Sequence, residues 1–305
     1  METRRRTIKT DLTEEISKIV SRLKINEPLK NHTTFRIGGP AAYFAETATV
    51  TELQKIYSFA LKKKLPFYVL GGGSNVLFGD KGFDGIVARL TGDFCEYRFS
   101  RETLYAGAGV RLAALVSDCS DKELSGLECL AGIPGTVGGA LISNAGTSLG
   151  WIEDTLKSAE ILAASGRVRR LAREKIKFSY RTSSLEGTIV LGAVFHLKKA
   201  PKNDIVNKIA ELLRRREERQ PAGTWNAGSI FKNPPEDSAG RLIEACGLKG
   251  LQFGGAEVSP KHANFIVNKG SAKASDVRAL IAAVHQKVKE KSGIELELEI
   301  KLAGQ

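Results

Sequence analysis

Residues 126–146 read Gly-Leu-Glu-Cys-Leu-Ala-Gly-Ile-Pro-Gly-Thr-Val-Gly-Gly-Ala-Leu-Ile-Ser-Asn-Ala-Gly. A segment this rich in glycine is a poor helix or strand interior, so it reads as a structured loop. Pro134 stiffens its turn, and Gly138-Gly139 allow backbone or ligand to come close. A shorter run, Gly71-Gly72-Gly73-Ser74-Asn75, follows the apolar strand Phe67–Leu70. Successive glycines after a strand let backbone N–H groups cradle a phosphate, because no Cβ blocks the approach. Neither run is a Walker A loop, since no Gly-Lys-Ser/Thr follows. A Rossmann fingerprint also fails: Gly107-Ala108-Gly109 opens a helix after a strand, but Leu112 stands at the third glycine position. Either run alone is as ordinary as a tight turn. Two of them in a chain of net charge +12 point to a dinucleotide held on some other fold.

The remainder of the chain narrows the class. With 305 residues, 42% hydrophobic and 26% charged, wholesale disorder is excluded and one large or two to three small domains are expected. No apolar stretch is long enough for a membrane span, and no apolar region follows the basic start as a secretory signal requires. Cys95, Cys119, Cys129 and Cys246 are far apart, so neither a zinc site nor a disulfide framework is expected, no metal is assigned, and a reducing cytoplasm fits. The positive charge favours anionic partners, and its densest cluster, residues 213–219, is interleaved with glutamates as on a solvated helix face. A basic nucleic-acid-binding module is the competing class. It lacks support in a basic tail, a zinc finger or aromatic-rich stacking motifs, so no nucleic-acid partner is expected.

Periodicity predicts helices over 12–25, 51–64, 111–122, 203–219 and 274–291, with a shorter one near Ala239–Cys246. Strands are predicted at Tyr43–Thr47, Phe67–Leu70, Gly85–Leu90, Leu156–Ala163, Val168–Leu171 and Ile189–Leu197, and a strictly alternating one closes the chain at Ile294–Leu302. Gln220-Pro221-Ala222-Gly223 marks a domain boundary. The pattern is α+β with three subdivisions.

Seven ordered blocks now carry a resemblance. They are His32–Ala41 (HTTFRIGGPA), Gly71–Leu77 (GGGSNVL), Gly126–Gly146, Tyr180-Arg181-Thr182-Ser183, Ala227–Pro234 (AGSIFKNP), Gly240–Glu244 (GRLIE) and Val258–Asn268 (VSPKHANFIVN). Together with the glutamate-rich end they resemble the UDP-N-acetylenolpyruvoylglucosamine reductase (MurB) family. The short span between Tyr180-Arg181 and Gly228-Ser229 resembles its type II form. The resemblance implies a two-subdomain FAD-binding fold of the vanillyl-alcohol-oxidase type plus a C-terminal α/β substrate-binding domain. Its boundaries fall at 1–90 and 91–219, the latter joined by the terminal strand 294–305, and at 220–293. FAD would be bound non-covalently by Arg36, Gly71, Gly72, Gly73, Ser74 and Asn75, and by Gly132, Pro134, Gly135, Thr136, Gly138, Gly139, Asn144 and Ala145. Backbone amides of 71–75 and 132–139 would face the pyrophosphate.

The implied reaction takes a hydride from the co-substrate NADPH through FAD to the enolpyruvyl ether of UDP-N-acetylglucosamine-enolpyruvate, for peptidoglycan precursor synthesis. No obligate protein partner is implied. Hydride reaches the terminal methylene carbon, and the resulting enolate needs a cation at its carboxylate and a proton donor at its carbon. The family pattern assigns the first role to Arg181, whose guanidinium matches a carboxylate in charge and shape. It assigns the second to Ser229, and places the catalytic acid at Glu299, with Ile300-Lys301 where the family usually has Val-Arg. Lys232 and Asn233 would contact the substrate. His32 and His262 read as structural. Another FAD oxidase of the same fold is the alternative within enzymes; the segment Ser229–Asn233 and the terminal glutamates argue against it.

Overall fold

The computed structural model describes residues 11–304. The described residues divide into two compact units, one formed by 11–27, Ala41–Gly71 and Asp84–Leu212, the other by Pro28–Pro40, Gly72–Phe83 and 213–304. The segments 28–40 and 72–83, read as part of the first FAD subdomain, group with the C-terminal region, because Phe35, Ile37 and Leu77 are buried in a core with Ile230, Phe231, Val258 and Leu280.

In the first unit, a four-stranded sheet runs in the order Arg22–Pro28, Pro40–Thr47, Phe83–Leu90, Phe67–Leu70. Helix Val50–Lys63 covers it with Leu53, Ile56 and Ala60, which share a core with Tyr43, Ala45 and Ile86. Thr49 caps this helix by accepting from the Glu52 amide at 3.2 Å, and Lys64 ends it in the left-handed conformation. The helix expected over 12–25 is shorter: residues 11–17 are helical, and Leu23 already lies in strand Arg22–Pro28. Ile16 and Val20 are buried as the periodicity requires, but pairing in the sheet overrides helix propensity beyond them. An antiparallel five-stranded sheet follows, ordered Val168–Ala172, Leu156–Leu162, Ile189–His196, Thr103–Gly107, Tyr97–Ser100. Helices Leu112–Asp121 and Val137–Ile142 contribute Leu115, Val137 and Leu141 to its core. Cys129 belongs to that core, and burial pushes its thiol up to about 12, so it packs as a protonated apolar group.

In the second unit, a three-stranded antiparallel sheet (Gln252–Phe253, Ala256–Val258, Ile266–Asn268) carries helices Ala239–Ala245 and Ala274–Ser292. The long helix buries Val277, Leu280, Val284 and Val288, a spacing of three and four that makes one apolar face. Its first amides, on Ala274 and Ser275, donate to the carboxylate of Asp80 at 2.7 and 3.0 Å. Burial opposes ionisation of Asp80, but these amide donations, with the Ser275 hydroxyl and nearby Lys273, together hold its carboxyl below the usual range. The C-terminal alternation does not form one strand. Lys301–Ala303 pairs in parallel with Val76–Phe78, not with the five-stranded sheet, and Leu298 makes an isolated bridge to Phe231. Burial keeps the alternation only in part: Leu296 and Ile300 are inside and Glu295, Glu297 and Lys301 outside, while Leu298 and Glu299 are both half-buried and Leu302 is exposed. Helix Lys202–Arg219 crosses from one unit's residues to the other's. Among the described residues no helix is long and apolar enough to cross a membrane.

Candidate active site

The first unit gathers the long glycine segment, Gly71 and Arg181. Strand Phe67–Leu70 delivers Gly71 directly against Thr136: a Cβ on Gly71 would lie 2.8 Å from Thr136 Oγ1. A Cβ on Gly139 would meet only the same oxygen, at 3.9 Å. Glycines from separate blocks therefore border one hydroxyl, leaving a cradle that side chains would fill. Gly138 departs from the expected role. Its N–H donates to the Ala108 carbonyl at 2.9 Å, and the Val137 N–H donates to Val110 at 3.0 Å. These amides fasten the loop to its neighbour instead of facing a phosphate. Gly135 also serves the loop, its carbonyl accepting from the Leu112 amide at 3.2 Å.

Asn144, with φ +44°, is buried and donates through Nδ2 to Glu153 Oε1 at 2.7 Å and to the Ser179 carbonyl at 3.2 Å. Its Oδ1 is buried with no hydrogen-bond partner in the protein. An orphaned buried acceptor is costly unless a ligand supplies the donor, and FAD carries such N–H groups. Glu153 is itself ion-paired with Arg173, which fixes the amide's orientation. The cradle and the orphaned acceptor both fit FAD. Ala145 is buried beside them, its amide donating to the Ala140 carbonyl at 2.8 Å. The role of Glu153 in holding Asn144 was not readable from the sequence, since nothing in the Trp151-Ile152-Glu153-Asp154 string marks it out.

Arg181 is the second residue of the two-residue turn between strands Phe178–Ser179 and Thr182–Ser183, with φ +56°. Its Nη1 donates to the Gly146 carbonyl at 3.3 Å, and its guanidinium lies over the rings of Trp151 and Tyr180. Ser183 supports the turn from beneath, its hydroxyl donating to the Ile142 carbonyl at 3.0 Å.

The second unit holds Arg36, Gly72–Asn75, Ser229, Lys232, Asn233 and Glu299. Arg36 is an exposed turn residue at φ +56°, between buried Phe35 and Ile37. The turn is latched by Thr34, whose amide donates to the Gly73 carbonyl at 3.0 Å and whose hydroxyl donates to Asn226 at 2.7 Å. Ser74 is half-buried next to Asn75.

Ser229 sits on an isolated bridge to Phe265, and the next carbonyl, of Ile230, accepts from the Glu299 amide at 2.8 Å. Ser229 and Glu299 thus lie on adjoining backbone segments. Lys232 ties the same two segments together: its amide donates to the Glu297 carbonyl at 2.8 Å, and its Nζ pairs with Glu297 Oε1 at 2.5 Å. Asn233 has a structural task, accepting from the Ala239 amide at 3.0 Å at the start of helix Ala239–Ala245. Two buried asparagines missed at the sequence level fix this region. Asn264 both accepts from and donates to the Phe231 backbone, at 3.0 and 2.8 Å, and Asn268 donates to the Phe35 carbonyl at 3.0 Å. The only signal was two asparagines flanking the apolar Phe265-Ile266-Val267. His262 Nδ1 accepts from the Asn264 amide at 3.2 Å, and burial lowers its pKa.

The family model described as UDP-N-acetylenolpyruvoylglucosamine reductase, C-terminal domain, matches residues 220–303, and that described as FAD binding domain matches 41–172. UDP-N-acetylenolpyruvoylglucosamine reductase of Moorella thermoacetica is 45% identical, covering 97% of this chain and 99% of its own. The enzyme named UDP-N-acetylenolpyruvoylglucosamine reductase 2 of Symbiobacterium thermophilum is 44% identical, over 93% and 92%. The crystal structure of UDP-N-acetylenolpyruvylglucosamine reductase from Thermus caldophilus superposes with a TM-score of 0.82 at 41% identity, covering 92% of this chain and 99% of that one. The fold is the expected α+β arrangement, an FAD-binding fold of the vanillyl-alcohol-oxidase type followed by a C-terminal α/β domain. At these identities and over this length, the chain belongs to the UDP-N-acetylenolpyruvoylglucosamine reductase family.

Proposed function

We propose that this protein reduces the enolpyruvyl ether of UDP-N-acetylglucosamine-enolpyruvate to the lactyl ether of UDP-N-acetylmuramate, a step in peptidoglycan precursor synthesis. NADPH is the reductant and the cytoplasm the compartment. Bound FAD supplies the chemistry of taking a hydride from the nicotinamide and passing one to the substrate's methylene carbon. The residues we assign to it are Gly71, Gly132, Pro134, Gly135, Thr136, Gly139, Asn144 and Ala145, together with Arg36 and Gly72–Asn75. Gly138 contributes by fastening the loop.

The chain's own residues then carry the charge and the proton. Arg181 takes the substrate carboxylate, onto which electrons shift as the double bond is reduced, and its permanent charge stabilises the enolate. Ser229 gives its hydroxyl proton to the enolate carbon, which completes the addition of one hydride and one proton across the carbon–carbon bond. Glu299, on the neighbouring segment, acts as a protonated or hydrogen-bonded acid, because an ionised carboxylate would repel the enolate. Lys232 orients the phosphates or the carboxylate of the substrate.

The observation that best supports this reading is the Glu299 amide donating to the Ile230 carbonyl, which sets the proposed acid and Ser229 on adjoining segments in a chain of this family. The test is an anaerobic visible spectrum of the purified protein before and after NADPH, followed by addition of the enolpyruvyl substrate. Flavin absorbance should bleach with NADPH and return with substrate. A protein that neither carries nor takes up FAD, or whose reduced form ignores the substrate, would refute the reading.

A further inference from the structure

The roles assigned so far leave Trp151 without a task. Residues Gly146–Thr147 and Gly150–Trp151 form a short antiparallel pair in which Trp151 is opposite Gly146. A Cβ on Gly146 would stand 2.8 Å from both Cα and Cε3 of Trp151, so the indole packs down on this strand only because position 146 is glycine. The indole meets the Tyr180 ring at 5.9 Å between centroids and at 90°. The guanidinium carbon of Arg181 lies 5.3 Å from the centroid of each ring. Gly146 acts a second time, its carbonyl accepting from Arg181 Nη1 at 3.3 Å. A long, rotamer-rich side chain at a hairpin turn is thereby held by two aromatic faces and one carbonyl.

We propose that Trp151 is a positioning residue: with Tyr180 it fixes the guanidinium of Arg181 for the substrate carboxylate, an inference that rests on the role given to Arg181 above. Aromatic faces attract the cation and limit its rotation without themselves accepting its N–H groups. Misplacing that cation slows only the step in which negative charge develops at the carboxylate. The transfer of hydride from NADPH does not involve the carboxylate and is unaffected.

The experiment is stopped-flow measurement of the two half-reactions on FAD-loaded enzyme. Trp151→Leu should slow reoxidation of the reduced enzyme by the enolpyruvyl substrate about tenfold, and leave flavin bleaching by NADPH within about twofold. Trp151→Phe, which keeps an aromatic face, should recover most of the loss. In an Arg181→Lys background, Trp151→Leu should add little, because the two changes disable one device. Equal losses in both half-reactions, no rescue by phenylalanine, or additive losses in the double variant would overturn the proposal. If Arg181→Lys alone reoxidises at the wild-type rate, the role of Arg181 fails, whereas failure of the wild type to be reoxidised would refute the proposed function itself.

Discussion

Asn75 Nδ2 donates to the Glu299 carbonyl at 3.2 Å, and a second link holds the same segment two residues on, where the Asn75 carbonyl accepts from the Lys301 amide at 3.1 Å. A residue assigned to the cofactor from the glycine run therefore also sets the backbone of the proposed acid. The second link continues into the parallel pairing of Lys301–Ala303 with Val76–Phe78. Replacing Asn75 by Ala leaves the Glu299 carbonyl without this donor and should cost about 1–2 kcal/mol. The same variant should slow substrate reduction more than flavin bleaching, as expected of a displaced Glu299. Urea unfolding and the two half-reaction rates check this, and an unchanged midpoint would show that the bond contributes nothing.

Gly71 tests the cofactor cradle. Its Cβ in Gly71→Ala would be 2.8 Å from Thr136 Oγ1, closer than real Cβ contacts come, so the Thr136 side chain, the strand end or the loop must shift. Affinity for FAD should fall by about tenfold or more while the fold persists, measured by titrating the apoprotein with FAD. Thr136→Ala in the Gly71→Ala protein removes the colliding oxygen and should restore part of that affinity. A double variant as weak as, or weaker than, Gly71→Ala would mean that Thr136 contributes more to FAD than the collision removes.

How far the sequence discloses this molecule depends on what kind of contact does the work. The glycine blocks and the Tyr180-Arg181 pair are legible because they are local and their chemistry is carried by residue type. The clamp on Arg181 is not, because Trp151 reaches it only through a hairpin and a two-residue strand pair that periodicity cannot reveal. The C-terminal alternation separates buried Leu296 and Ile300 from exposed Glu295 and Glu297, but not half-buried Leu298 from half-buried Glu299. It did not disclose that only Lys301–Ala303 would find a strand partner, since pairing depends on what lies alongside. The contact of Asn233 Oδ1 with the Ala239 amide is not legible either, because an asparagine that holds a helix start and one that meets a substrate look alike in a sequence. The grouping of segments 28–40 and 72–83 with the C-terminal region was hidden for the same reason: long-range burial decides it.

His262 makes stability depend on pH. Burial is the main cause of its lowered pKa, and proximity to Lys249 adds to it. Well above the ordinary value of 6.5 the imidazole is neutral whether the chain is folded or not, and its contribution to stability is complete. As pH falls below 6.5 the unfolded chain takes up the proton first, so stability declines until pH passes the folded value. His262→Asn keeps an acceptor for the Asn264 amide and removes the titration. Urea midpoints measured at intervals from about pH 7.5 to 5 should fall less in the variant than in the parent. Parallel declines would assign the pH dependence to other groups.

Glu299 is the sharpest test of the proposed chemistry. Its backbone is held from both sides, by the Ile230 carbonyl on its amide and by Asn75 on its carbonyl, so a side-chain change there leaves the segment in place. If the carboxyl works protonated or as a hydrogen-bonding group, Glu299→Gln keeps its shape and a donor, whereas Glu299→Ala removes both. The glutamine variant should therefore reoxidise faster than the alanine variant, and both should bleach with NADPH at the parent rate. Ser229→Ala provides the reference, with reoxidation slowed about 10²- to 10⁴-fold as expected when a positioned proton donor is lost. Equal losses in the two Glu299 variants would mean that the ionised carboxylate is what the reaction uses. Parent-like reoxidation in Ser229→Ala would move the proton donor elsewhere.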